Sequence, residues 1–394
     1  MKRHRVLART ATVLATVALL SLSAMTTAMT TAVAAAHTDN AATTDPVATY
    51  APGDVISAQR INAPGFFYAK VWKILYQSTD THGAPTTVSG TVIVPLSSWN
   101  GPRPIVGYAP GTHGLGDQCA PSRYLAAGNE QEGTLIHEYA TRGFAVAVTD
   151  YQGLGTPGDH AYMVARSAGQ ALLDIVRAAQ RLSGAELPAN GPVGLVGYSQ
   201  GGHAAAWAAQ LAPTYASDLI VMGVAAGGTP SNLRQVSAAN EGTSNFGLVL
   251  AAGIGMDTGY PNLDLESYLN DAGRIGVETL RNSCDFSPYA YKRMSDYTTT
   301  NPLNDPLWQA TIDAQNPGGL RPTAPVLLYH STGDEIIPYS GASALRQRWC
   351  SQGVAVTFWT YYLLGHAITA AYASPSVTDW MAARLSGQDA RGNC

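Results

Sequence analysis

Hydrophobic residues come in short runs rich in β-branched and aromatic side chains, each bounded by Gly, Pro, Asn or Ser. Eight such runs stand out: residues 67–78, 88–95, 104–110, 144–151, 192–199, 220–228, 324–332 and 355–363. Runs of that length and composition predict strands. The first two flank the turn-rich THGAPTT and predict a hairpin. The later ones alternate with helical patterns at 133–143, 161–182, 201–213 and 340–353. A hairpin followed by βα units predicts an α/β fold: a mostly parallel eight-stranded sheet with helices on both faces. One interval breaks the rhythm. Between Gly228 and about Leu320 no strand pattern occurs, only helix-like pieces among many Gly, Pro and Asn residues. A structureless loop of that length is unusual, so residues 229–320 are expected to form an inserted cap.

The fifth run ends in Gly197-Tyr198-Ser199-Gln200-Gly201, and an alanine-rich helical stretch follows. This is G-x-S-x-G between a strand and a helix, the context that a nucleophile elbow requires. There the glycines admit a close strand–helix approach, the serine oxygen is exposed, and the next N–H points at a developing oxyanion. The rival is a glycine-rich turn in which Ser199 caps the helix; the flanking strand and helix favour the elbow. A serine needs a base and an orienting acid, which in this arrangement follow in the order Ser, Asp/Glu, His. APVLLYHSTGDEIIP places Asp334 just beyond a strand, with Glu335 as the neighbouring alternative, and AVTFWTYYLLGHAIT ends the last strand at Gly365-His366. His330 lies inside a strand, His203 on the elbow helix, and His160 precedes the elbow, so none of them fits the base as well. One oxyanion donor is expected from the N–H of Gln200. The second is expected at Thr112 in the glycine-rich loop YAPGTHGLGDQCAPS (108–122), where His113 reads as a loop residue near the site. Tyr198, Phe246 and Leu250 are candidates for substrate contact, the last two because the stretch 246–254 is apolar on nearly every side.

Two other patterns point elsewhere and fail. Gly153-Leu-Gly155-Thr-Pro-Gly158 matches G-x-G-x-x-G, with Asp174 further on, but Pro157 interrupts the turn and no helix opens there. Ala165-Arg-Ser167-Ala-Gly169 has no strand before it, so Ser167 is expected on a helix surface.

Taken together, YAPGTHGLGDQCAPS, GYSQGG, HSTGDEIIP and the late Gly-His resemble the secretory lipase family of α/β-hydrolases, which includes the yeast A-type lipases. The resemblance covers most of the chain after residue 36. It implies carboxylester hydrolysis of lipid-like acyl esters, a cap between the sixth and seventh strands, and no cofactor. Short-chain, polysaccharide-ester and peptide hydrolysis on the same fold are the neighbouring activities, and a non-catalytic hydrolase-like binding protein is the alternative from another class.

Composition adds limits. The chain opens MKRHRVLAR, runs uncharged from Thr10 to Ala36 and reaches Ala-Ala-Ala, a secretory signal peptide by pattern with cleavage near Ala36. That predicts an extracellular protein without a stable membrane anchor, acting on a small-molecule ester and in contact with a lipid–water interface. A net charge of −4 gives no electrostatic attraction to nucleic acid. Four cysteines, Cys119, Cys284, Cys350 and Cys394, carry no zinc spacing, so no metal is expected; in an oxidising compartment two disulfides are the default, with three connectivities possible. The family resemblance favours Cys119–Cys284, tying the oxyanion loop to the cap, which leaves Cys350–Cys394.

Overall fold

The structure is a computed structural model and describes residues 49–394. The signal-peptide reading lies outside the described residues. The chain runs β1 (Val55–Ile61), β2 (Ala69–Thr79), β3 (Pro85–Pro95), β4 (Ile105–Ala109), α1 (Pro121–Ala127), α2 (Gly133–Thr141), β5 (Ala145–Gln152), α3 (Ala165–Arg181), β6 (Pro192–Tyr198), α4 (Gln200–Tyr215) and β7 (Ile220–Gly227). Five helices follow: α5 (Leu233–Asn240), α6 (Phe246–Gly259), α7 (Asp271–Arg281), α8 (Met294–Tyr297) and α9 (Pro306–Ala314). The chain then returns to the sheet through β8 (Val326–Ser331), α10 (Tyr339–Ser351), β9 (Val356–Tyr361) and α11 (His366–Leu385).

The strands form one sheet in the order β1-β2-β3-β5-β4-β6-β7-β8-β9. β2 and β3 make the expected hairpin, paired from Ala69↔Pro95 to Thr79↔Pro85, and β3 lies antiparallel to β5. From β5 to β9 every pairing is parallel. The sheet has nine strands, not eight. The additional strand, β1, is an antiparallel edge whose four central residues are exposed, so it carries no apolar run for a sequence pattern to reveal.

The central strands are buried on both faces, which is why they read as continuous apolar runs. Their alternation feeds two cores. Val193 and Leu195 of β6 point toward α3, α4 and α10, where Leu172, Ala205 and Trp349 pack. Val196 and Tyr198 point the other way, toward α2 and α11, with Tyr139, Val377 and Met381. Residues 229–320, which lie between β7 and β8, gather an apolar cluster of their own around Leu250, Ile254, Leu280 and Trp308.

Disulfides join Cys119 to Cys284 and Cys350 to Cys394. The first fastens the segment after β4 to the end of α7 across a separation of 165 residues; the second ties α10 to the C-terminus across 44. In the chain-entropy account, closing loops of these lengths stabilises by about 5 and about 4 kcal/mol. Replacing Cys119 and Cys284 together by alanine is therefore expected to lower unfolding free energy by about 2–5 kcal/mol. Urea unfolding of the purified variant beside the wild type measures this.

Candidate active site

Ser199 stands between β6 and α4 at φ 59° and ψ −121°, a conformation that non-glycine residues rarely adopt. Such strain costs on the order of 1–3 kcal/mol and persists only where the surroundings over-determine it. They do so here. A Cβ on Gly201 would collide with the Ala109 carbonyl, and one on Gly197 with the Gly201 carbonyl, so β6 and α4 meet at backbone contact. The Ser199 amide donates to the Gly227 carbonyl of the neighbouring strand at 3.0 Å.

Asp334 follows β8 and His366 opens α11 after β9, as neighbouring parallel strands allow. His366 Nδ1 donates to Asp334 Oδ2 at 2.7 Å. The other Asp334 oxygen accepts from the amides of Ile336 (3.0 Å) and Ile337 (2.8 Å). Burial would raise the Asp334 pKa, but hydrogen bonds from His330, His366 and the Ile337 amide outweigh it and hold the carboxyl well below its ordinary range. Glu335, the neighbouring candidate, accepts from the backbone amide of His366 at 2.8 Å, not from its ring. The Tyr198 hydroxyl donates to the His366 carbonyl at 2.8 Å. Ring, amide and carbonyl of His366 are thus each held, which leaves Nε2, buried and without a hydrogen-bond partner among the described residues.

His366 lines a cavity of about 720 Å³ that Ser199, Gln200, Gly111 and Thr112 also line. Leu248, Leu250, Ala252 and Met256 from α6 supply apolar wall. Phe246 is not on that wall, contrary to expectation. It is fully buried and stacks on Tyr297 at 6.0 Å, one turn before Leu250, which lies on the same side of α6 and does line the cavity. Tyr198 does reach the cavity, but its hydroxyl is committed to His366.

Several residues around the site have no sequence signature. His330 sits inside β8, and its Nε2–H is shared between the Ile337 carbonyl (2.9 Å) and Asp334 Oδ2 (3.2 Å). His160, pushed down to about 4 by burial, is neutral; its Nδ1 donates to the Gln152 carbonyl and its Nε2 accepts from the Gln200 side chain at 3.2 Å. His203 is a buried helix residue bonded to the Gln315 carbonyl. Ser167 is buried rather than on the surface, because α3 is covered on all sides there and its hydroxyl finds Gln152. Asp174 lies mid-α3 and pairs with Arg177 at 3.0 Å.

The Gly111 peptide, just before Thr112, is gripped from both ends. Its N–H donates to Glu132 Oε1 at 2.9 Å, and its carbonyl accepts from His113 Nδ1 at 2.8 Å. His113 Nε2 donates to Glu130 at 2.7 Å, and Tyr108 donates to the other Glu132 oxygen at 2.8 Å. Thr112 itself lines the cavity and bonds Tyr162 through its hydroxyl.

Comparison with known proteins agrees with this geometry. Residues 121–393 match the family described as secretory lipase. The chain belongs to the secretory lipase family. A secreted triacylglycerol lipase of Malassezia furfur, LIP1, is 29% identical over 368 residues, covering 87% of this chain and 74% of the relative. Lipase 10 of Candida albicans is 29% identical over 381 residues, covering 88% and 80%. Among solved structures, lipase A of Candida antarctica in its closed state superposes with TM-score 0.77 at 22% identity, covering 88% of this chain and 84% of that one. The rice cell wall degrading esterase LipA of Xanthomonas oryzae gives 0.71 at 21% identity, covering 86% and 100%. The fold of this secretory lipase is thus an α/β-hydrolase fold, and the protein is a carboxylester hydrolase.

Burial alone would lower the His113 pKa, but the hydrogen bond and charge of Glu130, the Gly111 carbonyl and Glu132 push it up to about 9. Folding therefore tightens the hold on this proton. The resulting stability is complete below about pH 6.5, the unfolded value, and is lost as pH rises through 9. Wild type is expected to lose about 3 kcal/mol more than His113→Asn across that window. Chemical denaturation at stepped pH compares the two.

Proposed function

We propose that Ser199 is the nucleophile, His366 the general base and acid, and Asp334 the residue that orients His366, in a secreted hydrolase of water-insoluble acyl esters such as triacylglycerols. The observation that carries this reading is a histidine whose Nδ1 is bound to a carboxylate and whose buried Nε2 has no partner among the described residues, lining the same cavity as a serine held on a strained turn. His366 Nε2 takes the Ser199 proton as the oxygen attacks the ester carbonyl. The tetrahedral oxyanion is bound by the backbone N–H groups of Gln200 and Thr112. His366 protonates the departing alcohol, then deprotonates water, which releases the acid from Ser199. Asp334, ionised throughout, stabilises the imidazolium in both steps.

The substrate class follows from the walls. Beside polar residues such as Thr134, Ser237 and Asn240, most of the residues lining the cavity are apolar, many of them from α6 and the rest of the 229–320 segment, which we assign as its cap. Each acyl methylene buried against them contributes about 0.8 kcal/mol, so affinity should rise with chain length until the wall is covered. The names of the relatives, secreted lipases from several fungi, agree with that class and with export.

Ser199→Ala and His366→Ala are each expected to lower kcat on a p-nitrophenyl ester by about 10³-fold or more, with Asp334→Asn nearly as severe. Fluorophosphonate should label wild type and leave Ser199→Ala unlabelled. A purified Ser199→Ala protein of wild-type turnover would sink the assignment.

The acyl wall has its own test. Leu248 lines the cavity and is only partly buried, so Leu248→Asp should fold. The ratio of kcat/KM for a long-chain ester to that for acetate is expected to exceed one in wild type and to fall at least about tenfold in the variant. A wild type that prefers acetate would make this a short-chain esterase.

A further inference from the structure

From Trp349 to Thr378 the chain has no Asp, Glu, Lys or Arg. That stretch includes the loop before His366 and the first turns of α11. One side of the helix packs inward through Thr369, Ala373 and Val377. The opposite side should be polar in a surface helix, yet it is apolar too. Ile368 is 62% exposed and Tyr372 68%; in the preceding loop Tyr362 is 74% exposed and Leu363 87%. Leu363 is moreover held at φ 59°, with its amide on the Thr332 hydroxyl and its backbone packed so closely on Gly333 that a Cβ there would meet it at 2.7 Å. A leucine in a left-handed conformation costs about 1–2 kcal/mol, and with its side chain in water no apolar burial of that side chain offsets it.

Two other exposed apolar residues, Ile275 and Tyr291, differ in setting. Ile275 shares α7 with Asp271, Arg274 and Glu278, and Tyr291 precedes Lys292 and Arg293. The face beside His366 has no such company. Of the acids beside it, Glu335 is engaged with the His366 amide and Glu138 with the Ser374 and Thr378 hydroxyls, and its far end is bounded by the Arg142–Asp379 ion pair. Ala367, Ala370 and Ala371, on the same turns of α11, line the catalytic cavity.

We propose that the charge-free face formed by Tyr362, Leu363, Ile368 and Tyr372 docks the protein on an uncharged lipid–water interface, with the cavity mouth turned toward the lipid. The proposal rests on the reading of the cavity as an acyl-ester hydrolase site. Continuity with the cavity identifies the occupant. A water-insoluble ester reaches His366 and Ser199 by leaving its own phase at the cavity lip, whereas a second protein copy on this face would cover that lip. Apolar patches on monomers mark interaction sites, and tyrosine, with an apolar ring and a polar tip, suits an interface. The absence of charge predicts attraction by apolar burial, insensitive to salt and to anionic lipid.

The test uses Ser199→Ala protein, so that the surface is not consumed, and flotation with phosphatidylcholine vesicles or triolein emulsion. Partitioning is expected to be the same at low and high salt. It should fall at least about tenfold when Leu363→Asn, Ile368→Ser and Tyr372→Ser are added. In the Ser199 background, kcat/KM on soluble p-nitrophenyl acetate should survive those three changes. Leu363→Asn alone should keep or raise Tm, since Asn accepts positive φ, so a loss of partitioning in that variant cannot come from unfolding. Retained partitioning by the triple variant overturns the proposal, as does partitioning only onto anionic vesicles. A dimer seen by light scattering and broken by the same substitutions overturns it too. Soluble-ester turnover without partitioning sinks the docking face alone; partitioning with the expected sensitivity but no turnover on any ester sinks the hydrolase reading and leaves the face standing.

Discussion

The hydrogen bond between Asp334 and His366 is the constraint around which the site is assembled. Its partners come from loops at the ends of β8 and β9, which pair in parallel register from Val326↔Val356 to Ser331↔Tyr361. Parallel strands end on the same edge of the sheet, so the two loops rise side by side with β6, which delivers Ser199. The fixing then spreads outward. Glu335 takes the His366 amide, Tyr198 takes its carbonyl, and the Ile336 and Ile337 amides with His330 occupy the rest of Asp334. With those contacts satisfied, the imidazole keeps one orientation and one free nitrogen. Preorganisation of this kind removes reorganisation cost from the reacting step.

The same logic governs the loop after β4. Glu132 and the His113–Glu130 pair are buried, and burying charge is expensive unless it is paired and hydrogen-bonded. Burial pushes the Glu132 carboxyl up, against the opposing pull of His113, Tyr108 and the Gly111 amide. What these groups achieve together is local. They fix both ends of the Gly111 peptide, and with it the direction of the next N–H. Gln200, bearer of the other proposed donor, is held in turn through its side chain by neutral His160.

How much of this was legible depended on whether the information was local in sequence. The parallel strands declare themselves because burial on both faces makes them continuous apolar runs. Ser199 declares itself because a backbone contact at Gly197 and Gly201 admits only glycine. Asp334 and His366 are legible by order and position after strands. β1 is not, since an exposed edge strand needs no apolar alternation. Nor are His160, Glu130 and Glu132, whose partners come from other elements and leave no spacing to read, nor His330, whose bonds to Asp334 and Ile337 form only across the turn after β8. Phe246 was misjudged for a related reason: an apolar helix does not say which of its turns meets the cavity, and Tyr297, from another element, covers Phe246 while Leu250 one turn on lines it.

Two non-glycine residues with left-handed backbone flank the same chemistry, Ser199 at φ 59° and Leu363 at φ 59°. Each is locked by contacts of a neighbouring glycine, Gly201 against Ala109 and Gly333 against Leu363. Strain of this sort is tolerated only if the rest of the fold supplies the deficit, and here two sheet-covering cores and two disulfides do so. The strain at Ser199 holds the residue on the cavity wall. The strain at Leu363 aims a hydrocarbon away from it, into solvent, three residues before His366. The first is accounted for by the proposed chemistry inside the cavity. The second gains nothing from water, and the docking proposed above sets it against an apolar phase at the lip of that cavity.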